Sequence, residues 1–93
     1  MTQSFTSTGV VAQFPQKGGW VYVPIKQTYS DLGIPKPKWG LVPVTITLGT
    51  TTWKRSLLPL GDGSLFIALP EKVRKAERLL VGDTITVSFT INT

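Results

Sequence analysis

Ninety-three residues, 41% hydrophobic and 16% charged, describe one folded domain (1–93) with no room for a second core, far from the polar composition of disordered chains. Without histidine or cysteine the chain has no disulfides, thiolate zinc sites, Ser-His triads or cysteine nucleophiles. Ten basic against five acidic residues leave a formal charge of +5, which suits an anionic partner as well as simple solubility.

In chain order, the opening MTQSFTSTGVV has no basic flank leading into an apolar run, and no stretch approaches the roughly 20 apolar residues of a membrane span. The expectation is a cytoplasmic protein with no membrane partner. After the first strand, the turn PQKGG leads into a second strand, WVYVPI from Trp20, with Val21, Val23 and Ile25 on one face. KQTYSDLGI is predicted as a short helix of about two turns, although its propensity is poor. The loop IPKPKWG follows, with two lysines, two prolines and Trp39, either a recognition surface or a stiff connector. VPVTITL, Val42 to Leu48, alternates strictly: Val42, Val44, Ile46 and Leu48 point inward, and Pro43 must face an edge or a gap because it cannot donate to a ladder.

TTTWKRSLL is the next strand, with Trp53, Arg55 and Leu57 on one face and Thr52, Lys54, Ser56 and Leu58 on the other. Either orientation therefore sets a cation beside apolar groups, where it needs a carboxylate, an aromatic face or a ligand. PLGDG reads as a hairpin turn, its glycines supplying positive φ. SLFIAL from Ser64 then repeats the inward set as Leu65, Ile67 and Leu69. PEKVRKAERLL is the better helix, with Val73, Ala76 and Leu80 gathered on one side and Arg74, Lys75 and Arg78 on the other. Gly82-Asp83 turns the chain into ITVSFTI, whose Ile85, Val87, Phe89 and Ile91 face inward.

The chain also matches itself. At an offset of 44 Phe14 meets Leu58, Pro15 meets Pro59, Gly19 meets Gly63, and the inward residues of the following strands coincide. In the last strands, at 43, Val42, Val44, Ile46 and Leu48 fall on Ile85, Val87, Phe89 and Ile91. Each half, about 4–48 and 51–91, then reads as strand, strand, short helix, strand, and the two close into one barrel about a pseudo-twofold axis. Closure removes exposed edges that a lone half could hide only by dimerising, so the expected state is a monomer.

Two family resemblances follow. STGVVAQFPQKGGWVYVPI with LGI resembles the swapped-hairpin domain of AbrB-type bacterial regulators, which implies DNA binding. Where such proteins keep arginines, this chain has Ala12, Gln13, Trp20, Gln27 and Thr28, which cannot neutralise phosphate or grip guanine. That leaves Lys17, Lys26 and the second helix as basic candidates. Over nearly the whole chain, WVYVPI, WKRSLLPLGDG, EKVRKA and VGDTITV resemble the bacterial domain-of-unknown-function family nineteen-oh-five. That likeness implies a double-split β-barrel and supplies no mechanism.

The expected architecture is thus mainly β, a double-split β-barrel with one or two short capping helices and an internal repeat. The expected function is a small binding or interaction module without catalytic residues, metal site or cofactor, its partner an anionic ligand or a protein. Arg55 leads the candidate ligand site, with Trp53, Lys54 and Ser56; it either meets a ligand or pairs with Asp62 or Glu71 at the barrel mouth. Trp20, Trp39, Trp53, Tyr22 and Tyr29 either seal the barrel ends or form a stacking surface. The alternative is an AbrB-like nucleic-acid-binding regulator using Lys72, Arg74, Lys75 and Arg78.

Overall fold

The computed structural model describes residues 3–16 and 18–92, so Lys17 lies outside the described residues. Among the described residues seven strands and two short helices follow one another as β1 (Ser4–Val10), β2 (Ala12–Gln13), β3 (Val21–Ile25), α1 (Tyr29–Leu32), β4 (Val42–Leu48), β5 (Thr51–Pro59), β6 (Leu65–Ala68), α2 (Glu71–Glu77) and β7 (Thr84–Ile91). All neighbours are antiparallel, in the order β1-β7-β4-β5-β6-β3-β2. Because β2 continues β1, the two ends of this order are one bent strand, and the sheet curls into a nearly closed double-split barrel.

The bend falls at Val11, whose N–H donates to the Asp83 carbonyl and whose carbonyl accepts from Gly82 N–H. Its side chain is buried, so the corner that turns the strand from β7 towards β3 also plugs the barrel. Alternation holds as the sequence predicts. Val42, Val44, Ile46 and Leu48 join Val87, Phe89, Leu57, Leu65, Ile67 and Val23 in a single core, where burying each aliphatic side chain contributes roughly 1.5–3 kcal/mol.

The pseudo-twofold is written in the strand registers. Val23 pairs with Ile67 and Ile46 with Phe89, so residues matched by the repeat face each other across an axis that passes through both pairs. The first strands follow a different offset from the one the repeat suggests. Ile46 faces Trp53 while Phe89 faces Phe5, which places Phe5 on Trp53, Ser7 on Arg55 and Gly9 on Leu57. The superposition of Phe14 on Leu58 fails: Ala12 pairs with Tyr22 as Leu58 pairs with Phe66, so Ala12 takes the place of Leu58. The first half spends its extra residues at the Val11 corner and in its hairpin, where Phe14 N–H meets the Trp20 carbonyl; the second hairpin already closes with Leu60 N–H on the Ser64 carbonyl.

The first helix is shorter than the two turns its pattern suggests, while the second, at seven residues, has its two turns but ends before the apolar stripe is complete. The first is a single turn. Thr28 and Asp31 form a reciprocal capping box, with Thr28 N–H 2.9 Å from the Asp31 carboxylate, and Gly33 ends the turn in the left-handed region at φ 73°; capping offsets the poor propensity. The second helix stops at Glu77, and Arg78 adopts φ 55°. The helical phase is lost there, so Leu79 packs against the core while Leu80 is 71% exposed, and Ala76 is exposed too. Only Val73 of the expected apolar stripe is buried. Among the described residues no helix is long and apolar enough to cross a membrane.

Candidate functional site

In a split barrel, each half leaves a gap where its long strand parts from its short one. In the first half the gap is packed shut. Ser7 is 2% exposed and accepts a hydrogen bond from Lys26 N–H at 3.0 Å; Gln27, 7% exposed, donates to the Thr6 carbonyl at 2.8 Å. In the second half the place of Ser7 is taken by Arg55, and that of Lys26, by the repeat offset, by Pro70, which has no N–H to give. The same gap is open there.

A cavity of about 300 Å³ occupies it, walled by Gln13, Trp20 and the neighbouring glycines of the first hairpin, by Arg55 of β5, and by Leu69, Pro70 and Arg74 at the entry to α2. Such a volume lies at the small end of ligand sites. Arg74 is half-buried, and its Nε donates to the Leu69 carbonyl at 3.0 Å, which fixes the guanidinium plane and leaves its remaining donors unassigned. Arg55 belongs by strand parity to the inward row with Trp53 and Leu57, and it faces Val44 across the ladder. Sitting at the split, it is nevertheless exposed. Among the described residues neither Asp62 nor Glu71 pairs with it: Asp62 accepts from the Ser64 hydroxyl and N–H, and Glu71 pairs with Lys75 at 2.9 Å. Among the described residues no carboxylate lines the cavity, and Glu71 reaches Arg74 only from the separate groove on the outer side of the helix.

Of the other candidates, Lys75 and Arg78 share a shallow surface groove with Arg74 and Glu71, and the rest lie around the cavity. Lys54 and Ser56 lie along a shallower groove that shares Trp20, Arg55 and Ala68 with the cavity. Trp53 lines neither; its ring packs against the core. Of the basic helix residues, Arg74 faces the cavity, Lys75 is engaged with Glu71, and Lys72 and Arg78 are exposed. The aromatics do not form one surface. Phe14 stacks on Tyr22 with centroids 4.2 Å apart and Phe66 meets both edge-on, making a small cluster separate from the barrel core. Tyr29 donates to the Gly40 carbonyl, and Trp39, 77% exposed, lies under the Lys38 ammonium.

Gln13, Trp20 and Arg74 are the wall residues that strand-by-strand reading does not gather around Arg55. The contact depends on the first hairpin crossing to the second helix, which the β3–β6 pairing produces by carrying Val21 to Leu69, whose N–H donates to the Val21 carbonyl.

The class is therefore a double-split β-barrel with one split closed by its own side chains and the other open and cationic. The chain belongs to the family described as Domain of unknown function (DUF1905), whose model matches residues 8–89. No curated protein matches it.

Proposed function

We propose that the domain is a non-catalytic binding module whose ligand is a small anion held in the open split by Arg55 and Arg74. The observation that carries this reading is the lining: two arginines, one of them oriented by a backbone carbonyl, and among the described residues no carboxylate. A guanidinium fork offers paired donors to a carboxylate or phosphate, and charge-assisted bonds of this kind are roughly twice as strong as neutral ones. The internal twofold supplies the closure that a half-barrel would seek by dimerising, so the binding unit is the monomer.

Calorimetric titration at low salt with inorganic phosphate and with acetate tests the reading. Saturable, salt-sensitive binding that Arg55→Ser removes is expected; heat indistinguishable from dilution for both anions overturns it. Less supports nucleic-acid recognition by Lys72, Arg74, Lys75 and Arg78, because the groove that gathers Arg74, Lys75 and Arg78 also holds the Glu71 carboxylate, which would repel a phosphate backbone. Binding to random duplex DNA with a steep salt slope, abolished by Lys72→Ala with Arg78→Ala and untouched by Arg55→Ser, would put that reading in its place.

A further inference from the structure

The cavity does not end at its arginines. Trp20, Arg55 and Ala68 form a ridge common to the cavity and to the neighbouring groove of about 540 Å³, which runs on past Lys54, Ser56 and Leu58. On that ridge the Trp20 indole is 56% exposed, and unlike the more exposed Trp39 it stands beside two arginines, so a ring that reaches the anion site can lie against it. Its backbone is not free to swing away. The Trp20 carbonyl accepts from Phe14 N–H, Gln13 Nε2 donates to the Gly19 carbonyl at 3.1 Å, and a Cβ at Gly19 would run into the Phe14 and Gln16 carbonyl oxygens. The stack of Phe14 on Tyr22, with Phe66 against both, anchors the same hairpin from behind. The third residue of the ridge, Ala68, carries only a methyl group and so takes little room between cavity and groove.

We infer that the ligand of this site is an aromatic anion: a phosphate or carboxylate group, held by Arg55 and Arg74, carried on a flat ring that lies against Trp20 where the cavity opens into the groove. This rests on the anion-binding reading above and adds the ring. An exposed aromatic face carried on an anchored backbone beside an anion site is a stacking platform, and stacking on such a face strengthens binding for any ring that reaches it.

The test titrates the full chain with two matched pairs, inorganic phosphate against adenosine monophosphate and acetate against benzoate, with adenosine as the uncharged ring. Each is measured on the native protein, on Trp20→Leu and on Arg55→Ser, with circular dichroism confirming that all three are folded. The ring-bearing member of at least one pair is expected to bind about tenfold or more tightly than its ringless partner. Trp20→Leu should bring the ratio between ring-bearing and ringless affinities down to near one, Trp20→Phe should restore most of that ratio, and Arg55→Ser should remove binding of both members. Whichever pair shows the advantage identifies phosphate ester or carboxylate as the head group. Equal affinities within both pairs, or an advantage that survives Trp20→Leu, would overturn the ring while anion binding stands. Failure of every anion to bind would remove the underlying reading as well.

Discussion

The two splits of this barrel are built on one plan and end in opposite states. Where β1 carries Ser7 and Gly9, β5 carries Arg55 and Leu57. Small residues let the first strand settle against β3: a Cβ on Gly9 would come within 2.6 Å of the Pro24 carbonyl oxygen and 2.9 Å of Val23 Cγ2. The gap is then sealed by the Ser7 and Gln27 hydrogen bonds. In the second half the long cation at the position of Ser7 cannot be buried without a partner, and Pro70 offers no N–H in its place, so the gap stays open. A repeat that closes a barrel needs two equivalent sheets but not two equivalent gaps. The second gap is free to become a site because the first one is packed.

The sharpest way to break this asymmetry is to exchange its central residues. Ser7→Arg forces a guanidinium into a position that is 2% exposed and removes the acceptor for Lys26 N–H. The expected loss is about 3 kcal/mol of unfolding free energy by urea denaturation. The reverse change, Arg55→Ser, shortens an exposed side chain that has no ion pair among the described residues and should leave stability within about 0.5 kcal/mol of native while removing anion binding. If the two changes cost the same, the splits are not different in kind.

Next in size is Gly9→Ala. The strand must move away from Pro24 and Val23 to admit even one methyl group, and overpacking of this sort costs about 2 kcal/mol. Because the shift would loosen the sealed gap and leave the open one alone, the anion affinity of the variant should equal that of the native protein. Urea denaturation read beside a phosphate titration checks both parts.

Each helix that caps a gap buries one aliphatic side chain, Leu32 in the first and Val73 in the second, and the first adds a polar tie from Tyr29 to the Gly40 carbonyl at 2.7 Å. Tyr29→Phe keeps the ring and deletes the bond, for an expected loss of about 1 kcal/mol. Amide exchange should quicken at residues 34–41 and remain unchanged at 78–83, which confines the effect to the first half.

The barrel and its twofold could be read from the sequence because alternation fixes which residues face inward, and Val42 to Leu48 repeats in Ile85 to Ile91 with the same parity. The offset of the first strands could not. Phe14 over Leu58 looks sensible as a pair of apolar letters, yet register is set by inter-strand pairing, and the extra residues at Val11 and in the first hairpin are invisible until Phe5 is seen opposite Phe89. The second helix misled for a related reason. A helical wheel assumes that the helix continues, and Arg78 in the left-handed region ends it before Leu80 can reach the inner face. Arg55 was legible as a cation out of place on an apolar face, whereas its companions Gln13, Trp20 and Arg74 are distant in sequence and converge only through the pairing of β3 with β6.

The smallest effect separates the two hairpins. The first is long, carries Trp20 and is anchored by aromatic packing, while the second is short and organised around Asp62, which accepts from the Ser64 hydroxyl and N–H between two glycines at φ 96° and 95°. Those hydrogen bonds hold the Asp62 carboxyl below its ordinary pKa, the Ser64 hydroxyl contributing most. A carboxyl whose folded pKa lies below its unfolded value adds stability above the unfolded pKa and loses it as the pH falls through the lowered folded one. Asp62→Asn keeps an acceptor and removes the charge. At neutral pH the variant should therefore melt slightly below the native protein, and the gap should close as the solution is taken below the usual carboxylate range. Because Asp62 is fully exposed, the difference is small, and the first hairpin with its indole should respond to neither change. A melting-temperature difference between native and Asp62→Asn that stays constant from neutral to strongly acidic solution would show that the charge on Asp62 does not organise the short hairpin.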